Sequence, residues 1–178
     1  MKIQEISLRA IKKDDCDILF RWRNAPKVRE ASLNSEEISY DNHCNWFERQ
    51  LSGRGRTNLI LSLENVSVGV VYFEIDEMNA VADFGYYKGI DTVVQNIGLQ
   101  MEISALDYAF KSLALRKLTC KVLSTNKRII KFHKEFGFEI EGCQIQQIVR
   151  GDRYLDIYFL ALFAEKWSQR RSCLEWMI

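Results

Sequence analysis

Residues 115–142 read LRKLTCKVLSTNKRIIKFHKEFGFEIEG and indicate a strand, a helix and the beginning of a second strand. Apolar and polar residues alternate at the start, which is typical of a half-buried strand, and residues 125–138 then carry apolar side chains at helical spacing. His133 lies four residues after Ile129 and three before Phe136, so it shares their side of the helix. Since the chain has only two histidines, the question is whether this one serves structure or chemistry.

The patterning on either side of this unit predicts a single mixed α/β domain over residues 1–178. We expect a mixed, mostly antiparallel sheet of about seven strands flanked by helices. The central strand–helix–strand unit would place two strands in parallel, with a crossover helix between them. The predicted strands cover about residues 3–11, 58–63, 66–75, 80–87, 118–122, 138–149 and 154–162, and the predicted helices cover about residues 16–24, 40–51, 97–112, 125–138 and 163–177.

The composition indicates a globular protein with balanced charge. Of 178 residues, 47% are hydrophobic and 28% are charged, and 25 Lys and Arg against 24 Asp and Glu leave a net charge of +1. This balance argues against a broad nucleic-acid or membrane surface. Five cysteines without a CxxC pair, no apolar leader segment and no apolar run of ~18 residues favour a reduced, cytoplasmic setting.

Several motifs together resemble the GCN5-related N-acetyltransferase (GNAT) superfamily, and in particular its RimJ/RimL-like branch. They follow the family's order over nearly the whole chain: LRAIKKDDCDILFRWRN at 8–24, ADFGYY at 82–87, the quoted segment 115–142 and GDRYLDIYFLALFAEKW at 151–167. Two shorter motifs, FRWRN at 20–24 and HCNWF at 43–47, are similar to the acetyltransferases that act on UDP-linked 4-amino sugars in pseudaminic acid biosynthesis.

The resemblance implies the GNAT fold and acetyl-CoA as cosubstrate, with no metal. Strand 80–87 would pair its backbone with the pantetheine arm, and a helix N-terminus would bind the pyrophosphate through free amides. The loop before this helix departs from the family pattern, because Val93 replaces a polar residue and Asn96 replaces a glycine. An ordinary Asn-capped helix start is the alternative. The implied cofactor-binding residues are Tyr86, Tyr87, Gln95, Asn96, Ile97, Gly98, Leu99 and Asn126, the last of which should also cap its own helix.

The implied acceptor is a small molecule, a UDP-linked amino sugar, and the four cations in residues 21–29 support it. Guanidinium groups form paired hydrogen bonds with phosphate oxygens, whereas a polycation such as spermidine would be repelled. The alternative is a solvated cationic face above aromatic residues of the core. The implied acceptor-binding residues are Arg21, Trp22, Arg23, Asn24, His43 and Trp46.

Two residues are candidates for proton transfer when the amine attacks the thioester directly. Asp83 lies in strand 80–87, where related enzymes often carry an acid that deprotonates the amine through water; a structural role is the alternative. His133 stands seven residues after Asn126, where the family generally has a tyrosine that reaches the CoA sulfur. With an ordinary pKa near ~6.5, the imidazole would be mostly neutral and could donate to the sulfur or accept a proton. A core histidine hydrogen-bonded to a neighbour is the alternative.

Two other functions stay open on the sequence alone. One is acetylation of protein N-termini, as in other members of the branch. The other is a non-catalytic, ligand-binding module whose degenerate phosphate loop has lost the cofactor. The apolar C-terminal tail, with Trp167, Leu174 and Trp176, could also support a homodimer.

Overall fold

A computed structural model describes residues 6–53, 55–89 and 97–174 of the chain. The strands are β1 (Ile6–Ala10), β2 (Arg56–Leu63), β3 (Val66–Asp76), β4 (Val81–Lys88), β5 (Lys117–Leu123), β6 (Glu139–Arg150) and β7 (Arg153–Phe163). The helices are α1 (Cys16–Asn24), α2 (Pro26–Ala31), α3 (Tyr40–Leu51), α4 (Ile97–Asp107), α5 (Lys127–Glu135) and α6 (Ala164–Leu174). A short 3-10 turn precedes α1, and a π-helical turn, Tyr108–Ser112, continues α4.

The seven strands form one mixed sheet in the order β1-β2-β3-β4-β5-β7-β6, which confirms the predicted sheet. Strands β1 to β4 form an antiparallel meander, whereas β4 and β5 run parallel. This parallel pairing lasts for only three residues of each strand and ends at Asp83 and Thr119. Beyond that point β4 stays paired with β3, and β5 stays paired with β7. The two strands therefore diverge, and each turns one open edge toward the other.

Helices cover both faces of the sheet because alternate residues of a strand point in opposite directions. In β2, Leu59 and Leu61 join the larger apolar core, which includes buried residues of α4 and α6. Ile60, between them, packs into a second core with buried residues of α1 and α3. Helices α1 and α3 thus cover one face of the meander, and the larger core fills the other.

Most predicted boundaries agree with the structure within a few residues, but two helices differ. Pro26 stands at the first position of α2, a helix that the prediction left out. The fixed φ of proline suits a first helical position, so the residue that ends one helix begins the next. The helix predicted over residues 97–112 is α-helical only to Asp107 and then widens into the π-helical turn.

The C-terminal tail is the predicted helix, but its described apolar side chains face inward. Trp167 and Leu174 are 2% and 4% exposed, and Nε1 of Trp167 donates to Oδ1 of Asp107 at 3.0 Å. Because one subunit already covers both side chains, they do not offer the surface that the predicted homodimer needs. Trp176 lies outside the described residues.

Gly89, directly after β4, gives room to the ring of Trp22. A Cβ at Gly89 would stand 1.9 Å from Cε2 of this ring, which is buried. We predict that Gly89→Ala lowers the free energy of unfolding by about 1–3 kcal/mol, because overpacking must displace a rigid side chain. Gly142→Ala is the matched control, since the space around Gly142 is open. Thermal unfolding followed by circular dichroism compares the two, and equal melting temperatures would contradict this packing.

Candidate active site

A cavity of about 1170 Å³ opens where β4 and β5 diverge. Helix α5 and strand β5 line one side of it, and helices α1 to α3 with strands β2 and β3 line the other. Pockets for a single small ligand commonly measure ~300–1,000 Å³. The cavity is therefore large enough to hold an extended cosubstrate and an acceptor together.

The part of β4 that borders this cavity has an open backbone edge. Residues Phe84 to Lys88 keep their ladder with β3 but make none with β5. An extended ligand arm can pair with such an edge as an added strand, through backbone N–H and C=O groups. Tyr86 and Tyr87, both predicted to bind the cofactor, lie on this stretch and line the cavity.

The described start of α4 contributes backbone to the cavity wall. Gly98 lines the cavity, and the space where its Cβ would stand is open. The side chains of Ile97 and Leu99 instead pack in the larger core. Of the predicted phosphate-binding residues, Gln95 and Asn96 lie outside the described residues.

Asn126 precedes α5, but its side chain makes no capping hydrogen bond. The backbone there, at φ −89° and ψ 53°, departs from the extended geometry that suits a capping side chain. Its carbonyl oxygen instead accepts from the N–H groups of Ile129 and Ile130 at 3.1 and 3.2 Å. The predicted side-chain cap is therefore wrong. Asn126 lines the cavity, where it is placed to contact a ligand arm.

His133 lies in a buried cluster that borders the cavity. Its Nδ1 is 2.8 Å from Oε1 of Glu102, a residue of α4 without solvent exposure. The ring is surrounded by aromatic side chains at centroid distances of 5.0–6.4 Å, those of Phe84, Tyr86, Phe132 and Phe138. His133 is thus a hydrogen-bonded core histidine and also a part of the cavity wall, which unites the two alternatives drawn from the sequence.

The charge of this cluster differs from the prediction. Burial by itself would lower the pKa of His133, but the negative charge of Glu102 and contact with the Cys120 thiol outweigh it and raise this pKa to about 10. The ring is an imidazolium at neutral pH, so the prediction of a mostly neutral imidazole is wrong. An imidazolium has no lone pair to accept a proton from an ammonium, and it can act only as a donor.

Asp83 stands where the pairing of β4 with β5 ends. Its Oδ2 is 2.6 Å from Nζ of Lys121, a residue of β5, so an ion pair joins the two strands at the point where they begin to diverge. Burial raises the pKa of the Asp83 carboxyl, and the ammonium of Lys121 opposes this effect without cancelling it. Because base strength increases with pKa, this carboxylate is a stronger base than an exposed aspartate.

The side of the cavity away from α5 carries cations and aromatic rings. Arg23 donates from Nη2 to the Asn34 carbonyl at 2.8 Å, while its buried Nη1 has no hydrogen-bond partner among the described residues. The guanidinium of Arg56 lies 4.0 Å above the ring of Tyr72 and 5.8 Å from that of Trp46. These groups could bind an anion through N–H donors and a flat ring by stacking.

Four of the six predicted acceptor residues have other roles in the fold. Arg21 is exposed and Trp22 packs on Gly89, and neither lines the cavity. The amide of Asn24 bonds both backbone groups of Ile38, at 2.8 and 2.9 Å. His43 does line the cavity, but it is 2% exposed, and its Nε2 lies 2.9 Å from the Cys16 carbonyl oxygen. Of the six, Arg23 and Trp46 line the cavity with half-buried side chains.

Several residues in the cavity wall, and Glu102 behind it, were not predicted from the sequence. Glu102 had one available signal, since it is an acid between the apolar residues Met101 and Ile103 of a largely apolar helix. The others come from separate strands, and only the pairing of the sheet places them side by side. They are Arg56 of β2, Tyr72 of β3, and Cys120 and Lys121 of β5.

Within the ranges that the structure describes, no group of three or more His, Cys, Asp or Glu residues could hold a metal ion. None of the described helices combines the length and the apolar character needed to cross a membrane. All five cysteines are free thiols, which agrees with the reading of the sequence.

Comparison with known proteins matches residues 5–139 to the family described as an acetyltransferase (GNAT) domain. The L-amino acid N-acetyltransferase AaaT of Escherichia coli (strain K12) is 24% identical over 164 residues, 89% of this chain and 98% of that protein. The spermidine N(1)-acetyltransferase of Vibrio cholerae is 22% identical over 175 residues, 93% of this chain and 97% of that protein. A crystal structure of spermidine N-acetyltransferase from Vibrio cholerae with CoA and spermine has the same fold, with a TM-score of 0.85 at 19% identity over 92% of this chain and 98% of that one.

The two histidines should titrate on opposite sides of the ordinary value. Burial lowers the pKa of His43, whereas Glu102 raises that of His133. We predict that an NMR titration shows one ring neutral above pH ~6.5 and one ring still charged at pH ~8.5, with His43→Gln assigning the signals. In Glu102→Gln the effect of burial should prevail, and the pKa of His133 should fall below ~6.5. A ring of His133 that titrates near ~6.5 in the unaltered protein would contradict the imidazolium.

Proposed function

Because the chain belongs to the GNAT acetyltransferase family, we propose that it acetylates the amine of a small acceptor that also carries negative charge. Membership of the family confirms the predicted enzyme class, an N-acetyltransferase that uses acetyl-CoA. The predicted UDP-linked amino sugar gains no support from the relatives, whose names refer to amino acids and spermidine. The proposal on the acceptor therefore rests on the cavity itself.

The observation that carries the proposal is the charge of the cavity wall. Among the described lining residues, six are Lys or Arg and two are Asp or Glu. Both acids are already paired, Glu74 with Arg56 at 2.6 Å and Asp83 with Lys121 at 2.6 Å. The excess of positive charge attracts an anionic acceptor. The six cations are Arg23, Lys27, Arg56, Lys88, Lys121 and Arg128.

Three of these cations lie on the side of the cavity where the acceptor, rather than the cofactor, would bind. Arg128 lies on α5 and faces the part of the cavity assigned to acetyl-CoA, but Arg23, Lys27 and Arg56 come from the opposite side. A nucleotide-linked amino sugar would place its diphosphate near Arg23 and a ring against Trp46. This finer proposal accords with the two short motifs around residues 20–24 and 43–47.

An amino acid is the second candidate, and the likeness to the Escherichia coli enzyme favours it. Its carboxylate would use the same cations as a phosphate, with a smaller share of the cavity. A polyamine, the acceptor in the names of the Vibrio cholerae relatives, suits the wall less well. Its second ammonium group would face Arg23, while the two carboxylates among the described lining residues are already paired with Arg56 and Lys121.

Asp83 and His133, which both line the cavity, have different tasks in the proposed reaction. Asp83 takes the proton of the incoming ammonium, directly or through one water, and passes it to solvent. The neutral amine then attacks the thioester carbon, and the nitrogen loses its second proton by the same route. The carbon–sulfur bond then breaks, and the electron pair leaves with the sulfur. His133 lines the same cavity, and in this proposal it is the residue beside the departing sulfur.

Mass spectrometry with acetyl-CoA and an acceptor panel tests the proposal. The panel contains UDP-linked 4-amino sugars, L-amino acids, spermidine and peptides with free N-termini. We expect acetylation of an acceptor that carries phosphate or carboxylate. Turnover of spermidine or of uncharged peptide N-termini alone would overturn the proposal on charge.

Arg23 should contribute to binding rather than to chemistry. We predict that Arg23→Gln raises the KM for the anionic acceptor about 10-fold to 100-fold and leaves kcat nearly unchanged, because a charge-assisted hydrogen bond is worth ~1.5–3 kcal/mol. Arg49→Gln is the matched control, since Arg49 is exposed on α3 and does not line the cavity. Steady-state kinetics of both variants measure this difference. An equal KM in the two would show that Arg23 does not contribute to binding of the acceptor.

Asp83 and Lys121 can be separated by two substitutions that break the same ion pair. We predict that Asp83→Asn lowers kcat by roughly 10²–10⁴, because it removes the base. Lys121→Met keeps the base and removes a charge that lowers its pKa, so the acidic limb of the kcat profile should move to higher pH. Activity requires the deprotonated carboxyl, which fixes this direction. Similar losses of kcat in both variants would indicate a structural pair instead.

A further inference from the structure

Helix α4 carries a carboxylate in the interior, with no exposure to water. Glu102 is 0% exposed and is flanked in sequence by the buried side chains of Met101 and Ile103. Its Oε1 meets Nδ1 of His133 at 2.8 Å, while Oε2 makes no hydrogen bond of good geometry within the described ranges. An ionised carboxylate in such surroundings is costly unless a cation accompanies it. The one basic side chain in contact with it is the imidazole.

The other titratable groups around the ring are neutral at pH 7. Tyr86 of β4 and Cys120 of β5 are the two, and burial is the main cause that raises the pKa of each. Phe84 and Phe138 close the remaining sides with aromatic rings. Among the described residues around the ring, Glu102 is therefore the main source of negative charge for His133, and Nδ1 of the imidazole is committed to it.

We propose that Glu102 is a positioning residue that keeps His133 protonated, so that the ring donates a charge-assisted hydrogen bond to the sulfur of CoA. The inference rests on acetyl transfer from acetyl-CoA, as in the proposed function, but not on the identity of the acceptor. Two placements support it: His133 and Cys120 both line the cavity, and the open edge of β4 that would bind the pantetheine arm passes the same ring. Glu102 itself does not reach the cavity, so it acts through His133.

The charge of the ring decides what His133 does when the carbon–sulfur bond breaks. The neutral amine nitrogen forms a bond to the carbonyl carbon, and the sulfur leaves with the bonding pair as a thiolate. The nitrogen loses two protons in all, one before the attack and one after it, and Asp83 passes each of them on to solvent. Because the negative charge of Glu102 raises the pKa of His133, the ring carries a proton while negative charge develops on the sulfur. His133 therefore stabilises the thiolate by a charge-assisted hydrogen bond, and the thiolate takes its proton from solvent after release.

The ionisation of the thiol of bound CoA tests the proposed role of Glu102 and His133 without any acceptor. Calorimetry between pH 6.5 and 9 compares CoA with desulfo-CoA, which lacks the thiol. A cation beside the sulfur lowers the pKa of bound thiol by about one unit or more. The affinity of CoA relative to desulfo-CoA should then rise with pH by about 2-fold or more across this range, because the bound thiol ionises at lower pH than the free thiol. Glu102→Gln should flatten this rise, and Glu135→Gln, an exposed acid on the helix of His133, should keep it.

Each outcome of the experiment either supports or overturns the inference. A relative affinity that does not change with pH in the unaltered protein would overturn the inference, and so would a rise that persists in Glu102→Gln with His133 uncharged by NMR. If Glu102→Gln does not fold, the NMR titration of His133 in the unaltered protein takes its place, because a ring that is uncharged at neutral pH would overturn the role of Glu102. Where kinetics are accessible, Glu102→Gln should lower kcat while the KM of the acceptor stays the same. Because desulfo-CoA binding involves no acceptor, a wrong acceptor class and a wrong role for Glu102 give different results.

Discussion

The structure depends on a sheet pairing that stops early. Strands β4 and β5 pair in parallel only as far as Asp83 and Thr119, while their outer edges stay fully paired with β3 and β7. Unpaired backbone groups inside a fold are costly, so a gap of this kind persists where water or a ligand can satisfy them. The open edge, the cavity between the strands and the ion pair of Asp83 with Lys121 all follow from this divergence.

Charged groups near this gap come in pairs that join separate elements. Asp83 and Lys121 connect β4 with β5, and Glu102 and His133 connect α4 with α5. Low polarity around a charge makes an unpaired partner expensive, so each pair also resists separation of its two elements. The second pair has less contact with water than the first, because both of its side chains are at most 5% exposed. It is therefore the firmer of the two supports for the cavity wall.

Local patterns in the sequence predicted the elements, but the site required contacts between distant residues. Periodicity placed α3 and α5 well, because burial of one helix face is a local signal. The charge of His133 depended on Glu102, which lies 31 residues away and has no pattern that links the two. The residue types of Trp22 and Asn24 suggest binding of the acceptor. In the structure, however, Trp22 packs on Gly89 and Asn24 forms hydrogen bonds with Ile38, so both side chains stabilise the fold. The position of α2 was missed because a proline can begin a helix as well as end one.

The pair of Glu102 and His133 also explains why histidine can stand where the family generally has tyrosine. A tyrosine at this position would donate one hydrogen bond but would leave the buried carboxylate without a cation. A histidine without Glu102 would lose its charge, since burial alone lowers its pKa. Either change made singly removes the compensation of the other, so the effects of substitutions at the two positions should not be additive. The acid on α4 is accordingly the feature to seek in any relative that carries histidine at the equivalent place on α5.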